Sequence, residues 1–407
     1  MEVLYARCAG LDVHKDTVVA CVRIVEGNRV ESKLRTFGTM TRDLDELAAW
    51  LAEHGCTHAA MEATGVYWKP VWHVLEEEIE LILANAADIK NRPGRKTDAC
   101  DAQWIAELLA HGLIAPSFVP PMAVQEMRSL TRTRKQLVRE VVQHKLRIQK
   151  TLEDANIKLS SVISDVLGQG GRAILMAMID GEEDPKRLAS YAPRVHAPAS
   201  TLIEALHGRV RDHHRFLLKL HIDQIDALEV AIGKIEKELQ RVDHPFREAR
   251  RRLITIPGFS DTVASVVVSE IGIDMSRFPT AGNLISWACM CPRSDESAGK
   301  RRSTRVRPGC VWLKTTMVQA AWAAVRVKNS YAHAQYMRIK SRRGSKKAIL
   351  AVAASLLTAA YHMLRDNTDY KERGGGYFDT LNKAKTAQRL LKRLADLGYA
   401  ATIQPAA

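Results

Sequence analysis

The sequence predicts an α/β plus α protein, in which a mixed β-sheet domain precedes a long helical region. Three observations indicate this order. Residues 8–38 contain three short strands, at 9–13, 17–24 and 30–37, and Gly27-Asn28 is a tight-turn pair between the last two. Helical and strand patterns then alternate as far as residue 111. Beyond residue 121 the apolar residues follow helical and heptad spacing.

The first domain is predicted over residues 1–120. After the three strands come a helix at 43–54 with Thr41 as its N-cap, a strand at 58–62, a helix at 68–77, a strand at 80–84 and a helix from Asp98 to His111. Three hairpin-like strands followed by alternating helices and strands is the order of an RNase H-like (RuvC-like) sheet. In such a sheet the first acidic residue lies on strand one, in the middle of the sheet.

A coiled-coil arm is predicted over residues 121–249. A long helical pattern covers 123–153, and a clean heptad pattern covers 215–242. Between them, 160–212 is less periodic and indicates a small helical insertion. The pair can be antiparallel within one chain or intermolecular, and a simple helical bundle explains the same pattern. The basic stripe at 128–150 fits either a nucleic-acid face or a solvated helix exterior.

The remaining chain is predicted as a mostly helical domain at 250–366 and a basic tail at 367–407. Residues 256–259 read I-P-G-F, which fits a helix-hairpin-helix turn or an ordinary turn between helices. Helices are predicted at about 280–290, 311–326, 328–340 and 345–365. A further helix at about 379–397 follows Gly374–Gly376 and is expected to be peripheral.

The positive charge lies in the last third of the chain. Of a formal net charge of +14, residues 251–407 hold 26 Lys and Arg against 10 Asp and Glu, which favours a polyanionic partner. The seven cysteines include no C-x-x-C pair, so we expect a reduced, cytoplasmic protein. The location that we expect is bacterial and nucleoid-associated. No 18 apolar residues occur in a row and no leader pattern is present. These two observations argue against a membrane partner.

Four carboxylates are candidate metal ligands and catalytic residues: Asp12, Glu62, Asp98 and Asp101. Asp12 and Glu62 each end an apolar run that reads as a strand. Asp98 and Asp101 are three residues apart at the start of a helix, so they share one helical face. Clustered carboxylates repel one another unless a hard cation neutralises them. We therefore expect bound Mg²⁺ or Mn²⁺, with Lys15 as a phosphate contact.

A second candidate site lies in the polar segment C-P-R-S-D-E-S-A-G-K-R-R-S-T-R-V-R-P-G at 291–309, which reads as a loop. It contains Ser294, Ser297 and Ser303. Around them are the basic residues Lys300, Arg301, Arg302, Arg305 and Arg307. Such a cluster offsets the charge that develops on a phosphoryl group, so one serine could attack a DNA phosphate. The alternative is a loop that only grips phosphate.

The motifs G-L-D-V-H-K-D, M-E-A-T-G-V-Y-W and K-T-D-A-C-D-A resemble the N-terminal DEDD motifs of the insertion sequence "one-ten" family of transposases. I-P-G-F and P-R-S-D-E-S-A-G-K resemble the C-terminal transposase domain of that family. The family's metal-binding carboxylates fall on Asp12, Glu62, Asp98 and Asp101, and its nucleophilic serine falls on Ser297. Ala298 replaces the usual glycine and an Asp-Glu pair precedes Ser297, so Ser294 stays an alternative nucleophile.

The resemblance implies donor and target DNA as substrates, and a bridge RNA that pairs with both. It implies strand exchange through a serine–phosphate intermediate in a dimer or tetramer joined by coiled coils. The carboxylates of one subunit and the serine of another would then act on one phosphate. Two other hypotheses stay open at this point. One is a metal-only nuclease of the Holliday-junction resolvase type that uses water, and the other is a non-enzymatic nucleic-acid binder.

Overall fold

The computed structural model describes residues 2–63, 65–85, 89, 98–292, 295–297, 299–303, 305–307, 309–381 and 383–402. Side chains are described for these residues except at 98–100, 295–297, 301 and 302. The chain divides into two compact units, Met1–Val119 and Pro120–Ala407.

The first unit contains a five-stranded mixed sheet in the order β3-β2-β1-β4-β5. Strand β1 pairs antiparallel with β2, which pairs antiparallel with β3, whereas β1, β4 and β5 are parallel. The strands are β1 (Arg7–Val13), β2 (Thr17–Glu26), β3 (Arg29–Gly38), β4 (His58–Glu62) and β5 (Glu80–Ala84). The helices are α1 (Thr41–Glu53), α2 (Trp68–Leu75) and α3 (Asp98–Ala110). The predicted α/β domain with an RNase H-like strand order agrees with this topology.

Helix α1 begins differently from the prediction. Met40, in an extended conformation, is its N-cap, and no side chain caps the helix. The Met40 carbonyl accepts hydrogen bonds from the Asp43 and Leu44 amides at 2.9 and 3.0 Å. Thr41 is the first helical residue, so the predicted Thr41 cap is wrong.

The two faces of strand β1 pack against different helices, because successive side chains in a strand point to opposite faces. Ala9, Leu11 and Val13 point into a buried cluster with helices α1 and α2. Cys8 points to the other face, into a cluster with Ile105 and other residues of α3. The sheet therefore has a core on one side and α3 on the other.

Helix α3 lies very close to β1 at Gly10. A Cβ at this glycine would meet the Ala102 carbonyl oxygen at 2.1 Å and the Ala106 nitrogen at 2.4 Å. The Cys8 thiol donates to the Ala106 carbonyl at 3.6 Å. Later helix residues thus lie beside earlier strand residues, so α3 runs antiparallel to β1 and its N-terminal turn lies toward Asp12.

In the second unit two long helices, α4 (Met122–Asp154) and α9 (Asp212–Val242), pair in an antiparallel arrangement. Arg134 contacts Glu236 at 2.6 Å near one end, and Asp154 contacts His214 at 2.9 Å at the other. The intervening helices pack on the α4–α9 pair and share a buried core with it. They are α5 (Leu159–Val162), α6 (Gln169–Ile179), α7 (Pro185–Ser190) and α8 (Ala199–Ala205). We call helices α4 to α9 together the arm.

Six further helices follow a 3-10 turn at His244–Phe246. They are α10 (Arg247–Ile254), α11 (Asp261–Ile271), α12 (Ala281–Trp287), α13 (Val311–Ala324), α14 (Tyr331–Arg343) and α15 (Ser345–Asp366), with a 3-10 turn at Met275–Arg277 before α12. By length and composition α15 could cross a membrane, but 56% of its apolar window is buried. The Tyr361 hydroxyl on α15 donates to the Phe278 carbonyl at 2.9 Å, as in a core helix.

The segment after α15 is anchored rather than loose. The Glu372 carboxylate accepts from the Tyr331 amide, at the start of α14, and from the Gly374 amide, both at 2.8 Å. The Tyr331 ring lies 4.9 Å from the ring of Phe378 on α16 (Tyr377–Thr380). The last helix, α17 (Lys383–Asp396), has no buried residue. The first part of the predicted tail is thus held against α14 by these contacts, and the tail becomes peripheral only beyond α16.

Candidate active site

Two carboxylates lie at the C-terminal ends of neighbouring parallel strands, Asp12 one residue before the end of β1 and Glu62 as the last residue of β4. Leu11 of β1 lies opposite Met61 of β4, so Asp12 and Glu62 are the next residues of adjacent strands. Leu11 and Met61 point into the core beside α1 and α2. Because side chains alternate along a strand, Asp12 and Glu62 point to the opposite face, toward α3. The sheet therefore brings these two predicted ligands together.

Helix α3 supplies the next carboxylate. Its close contact with β1 at Gly10 involves Ala102, the residue after Asp101. Asp101 lies one turn or less from the helix start, next to Asp12, and its side chain is half-buried. Asp98 is the first residue of α3, three positions earlier, and its side chain lies outside the described residues. The backbone places it in the same turn as Asp101.

The electrostatics of Asp12 agree with this arrangement. Burial raises the pKa of Asp12, and the charges of Asp101 and Glu62 raise it further. His14 acts in the opposite direction, since its Nε2 lies 3.1 Å from Asp12 Oδ2. Three carboxylates therefore interact in a partly buried place, and the charges of Asp101 and Glu62 disfavour the ionised form of Asp12. A hard cation with oxygen ligands would relieve that repulsion, so this donor set fits a divalent metal ion.

Lys15 lies beside this site with an exposed side chain. Its backbone carbonyl accepts a hydrogen bond from Thr39 Oγ1 at 2.9 Å, which ties the turn after β1 to the end of β3. The turn is thus held in place while the Lys15 ammonium stays in solvent. Its role as a phosphate contact stays a prediction.

The predicted serine loop contains a β-hairpin. Strand β6 (Asp295–Ser297) pairs antiparallel with β7 (Lys300–Ser303), and Ser297 lies opposite Lys300. Gly299, in the turn, has φ +73°, a conformation that glycine adopts at little cost. Ser297 therefore lies at the tip end of its strand. Ser294 and the side chains of Ser297, Arg301 and Arg302 lie outside the described residues.

The base of this hairpin is tightly packed. Cys289 has φ +52°, which is uncommon outside glycine and asparagine. A Cβ at Gly309 would lie 2.2 Å from the Cys289 sulfur, so the two chain segments cross in near contact. Pro292 and Val306, three residues further along each segment toward the hairpin, form an isolated antiparallel β-bridge. These contacts fix where the hairpin leaves the helical domain.

The predicted basic residues of the hairpin differ in their surroundings. Lys300 and Arg305 are exposed. The Arg307 guanidinium donates to Ser286 Oγ at 2.8 Å, and the Arg307 carbonyl accepts from Lys314 Nζ at 3.1 Å. Arg307 thus helps to hold the hairpin base against α12, a contact that the sequence did not indicate.

The sequence also missed a buried carboxylate, Glu270 at the end of α11, which is 1% exposed. Arg132 of α4 donates to both of its oxygens at 2.8 Å. Arg128 lies 3.6 Å from the same carboxylate, and the Cys310 thiol donates to it at 3.3 Å. We call these four residues the Glu270 cluster. It joins the arm to α11 and to the residue just before α13, at the end of the hairpin segment.

A second acidic and histidine group lies in the arm, where Asp154, His213 and His214 have ligand atoms within 4.8 Å of one another. His214 Nδ1 accepts from the Arg211 amide at 3.1 Å, and His214 Nε2 lies 2.9 Å from Asp154. The Nε2 nitrogen therefore carries the ring proton and donates a hydrogen bond to the Asp154 carboxylate. Both ring nitrogens are used in fixing the start of α9, which argues against a metal site here.

Two family models match the chain. One, a DEDD transposase of the IS110 type, matches residues 9–157. The other, described as the transposase IS116/IS110/IS902 family, matches residues 250–337. The first covers Asp12, Glu62, Asp98 and Asp101, and the second covers Ser297. No curated protein matches the chain. Both matches argue against a non-enzymatic binder.

Proposed function

This chain belongs to the IS110 family of transposases, and on that premise we propose that it cuts and rejoins DNA through a serine–phosphate intermediate. It is an enzyme of DNA transposition, and its substrates are DNA. The observation that carries the proposal is the convergence of Asp12, Glu62 and Asp101 on the α3 face of the sheet. The carboxylates and the basic serine hairpin are each of the kind that phosphoryl transfer requires.

The metal assigned to this site is Mg²⁺ or Mn²⁺. Asp12, Glu62, Asp98 and Asp101 would hold it, because hard divalent cations take carboxylate oxygens. When bound, such an ion supplies charge stabilisation to a phosphodiester. The Asp12 and Asp101 side chains are half-buried on the α3 face of the sheet, so their oxygens are partly open to an ion from solvent.

Ser297 is the proposed nucleophile. Its hydroxyl loses a proton and its oxygen attacks phosphorus, so that a phosphorus–oxygen bond to the serine forms while the bond to the leaving nucleoside oxygen breaks. The leaving oxygen takes up a proton. A hydroxyl end of another strand reverses the step and releases the serine. Lys300 and Arg305, with Arg301 and Arg302, would offset the negative charge that builds up on the phosphoryl oxygens.

The proposal includes a bridge RNA that pairs with donor and target DNA, and a dimer or tetramer joined through coiled-coil helices. Both partners rest on the family resemblance. The excess of Lys and Arg in residues 251–407 supports a polyanionic partner. Sequencing the nucleic acid that copurifies with the protein checks the RNA, since one discrete structured species is expected.

The test of the mechanism is Ser297→Ala. We expect loss of covalent protein–DNA adducts on a denaturing gel, with DNA binding nearly unchanged. Ser303→Ala is the matched control, because Ser303 lies in the same hairpin and its Oγ accepts from the Arg305 amide at 3.1 Å. A Ser297→Ala variant that still cleaves DNA would support the alternative, a metal-only nuclease that uses water. Adducts lost only in Ser294→Ala would move the nucleophile to Ser294.

A further inference from the structure

An open groove lies in the second unit between the arm and the helices α11 and α13, with a volume of about 950 Å³. Helix α4 contributes Lys135 and Arg139 to the lining, and the neighbouring helix α13 contributes Thr315 and Gln319. This volume is at the upper end of the range of about 300–1,000 Å³ for small-ligand sites. The groove therefore has room for a few nucleotides.

The structure separates the basic residues of α4 into two groups. Arg128 and Arg132 contact Glu270, and Arg134 contacts Glu236. Within the described part of the chain, Lys135 and Arg139 form no ion pair with a carboxylate. These last two are the cations that give the groove its uncompensated positive charge.

Lys135 is fixed by neutral groups only. Its Nζ donates to the Trp312 carbonyl and to Thr316 Oγ1, both at 3.2 Å, and to Thr315 Oγ1. Burial lowers the pKa of Lys135, and the charge of Arg139 lowers it further. Arg139 is itself exposed and lies over the Trp312 ring, 5.2 Å from its centroid. Among the described residues, these two neighbouring cations thus lie at one edge of the groove without a paired carboxylate. The Arg139 guanidinium can bond a phosphate there, and Lys135 adds its charge.

Beside these cations the wall is apolar. Val138 and Val142 line the groove and are 37% and 47% exposed. Val263 and Ala320 line it from the facing side. The other end holds Arg250, which pairs with Asp243 and Asp261, so the positive charge stays at the α4–α13 edge. A charged edge beside an apolar strip matches a single nucleic-acid strand, whose phosphates and bases lie on opposite sides.

We propose that this groove holds a single-stranded segment of nucleic acid, with a phosphate at Arg139 beside the charge of Lys135 and bases along the valine strip. The inference rests on the proposed function, which supplies a nucleic-acid partner. Helix α13 begins at Val311, shortly after the serine hairpin. A strand in the groove is therefore guided along the helix that follows the hairpin.

The test is fluorescence anisotropy of the full chain with labelled single strands of about 12 thymidines or uridines. EDTA is present, so that neither cleavage nor the carboxylate site contributes. Arg139→Gln should weaken binding by roughly five- to tenfold, as expected of one charge-assisted contact. The slope of log affinity against log salt should fall by about 0.7, as for one phosphate on a single strand. Gln319→Glu, which places an anion in the lining contributed by α13, should weaken binding similarly.

The matched control is Lys150→Gln, the same charge change at an exposed residue of α4 outside the groove. Equal weakening by Arg139→Gln and Lys150→Gln would overturn the proposal, as would competition by polyglutamate that depends on Arg139 as strongly as binding of the oligonucleotide does. A preference for the thymidine or the uridine strand that Arg139→Gln removes supports the site and identifies DNA or RNA as its occupant. Because catalysis is absent, a negative result leaves the Ser297 mechanism standing.

Discussion

Arg132→Ala tests whether the Glu270 cluster holds the arm to the helical domain. The substitution removes both hydrogen bonds of 2.8 Å to a carboxylate that is 1% exposed. Breaking a buried ion pair on one side costs about 3–5 kcal/mol, because the other charge stays buried. The Arg132 side chain is 35% exposed and Arg128 lies 3.6 Å from the carboxylate, so we expect the lower end, about 3 kcal/mol.

Thermal unfolding followed by circular dichroism and tryptophan fluorescence measures this loss. A destabilisation of that size lowers the Tm by roughly 6–12 °C in a domain of about 150–250 residues. The control is Arg134→Ala, two residues along the same helix, whose ion pair with Glu236 is 24% and 47% exposed. Exposed pairs contribute about 0–1 kcal/mol, so this variant should unfold close to the wild type.

A double variant, Arg132→Met with Glu270→Met, separates the ion pair from simple packing. Replacing both charges by apolar side chains leaves no buried charge, so the double variant should be more stable than Arg132→Ala. If Arg132→Ala unfolds within about 1 °C of the Arg134→Ala control, the cluster does not hold the arm and the reasoning from burial is refuted.

Gly10→Ala should destabilise the first unit by about 1–3 kcal/mol and lower metal-dependent cleavage, because the new Cβ would meet the Ala102 carbonyl oxygen at 2.1 Å. Chemical denaturation measures the loss, and Gly233→Ala, where a Cβ meets open space, is the control. In EDTA, Asp12→Asn should raise the Tm at pH 8 and have no effect below pH 4. Because the pKa of Asp12 is raised in the folded protein, the wild type loses stability as the pH rises through that pKa, whereas the asparagine of the variant carries no charge. Excess Mg²⁺ should reverse the order and make the wild type the more stable protein, because the ion binds the folded state. Removing residues 381–407 should leave the Tm unchanged. Glu372→Ala should lower stability by about 0.5–1.5 kcal/mol, because the Tyr331 amide loses its carboxylate acceptor; equal effects would show that the segment after α15 is not anchored.

Much of the first unit could be predicted from the sequence because its signals are local. Alternating apolar residues fix which face of β1 and β4 is buried, and an acid lies at or next to the end of each strand, Asp12 in β1 and Glu62 in β4. Parallel strands place such ends side by side. The approach of α3 needs the three-dimensional contact at Gly10, which no local pattern reports.

The Glu270 cluster was not predictable in the same way. Glu270 sits in V-A-S-V-V-V-S-E-I, where one charge in an apolar helix was the available signal, but its partners are 138 and 142 residues away. The basic stripe of α4 was treated as one surface. Helical geometry instead places Arg128, Arg132, Lys135 and Arg139 on a single side, and only the first two contact the buried Glu270 carboxylate. The hairpin at 295–303 lacks apolar alternation, so its strands gave no pattern.

The antiparallel pairing of α4 and α9 has a consequence for how the arm can vary. Each helix rises about 1.5 Å per residue, so one heptad added to both would extend the reach of α5–α8 by about 10 Å without changing which side chains meet. A heptad added to only one helix would shift Arg134 away from Glu236 and His144 away from His221. The span of this element is therefore adjustable in discrete, matched steps, and chains that differ in arm length should differ by equal insertions in both helices.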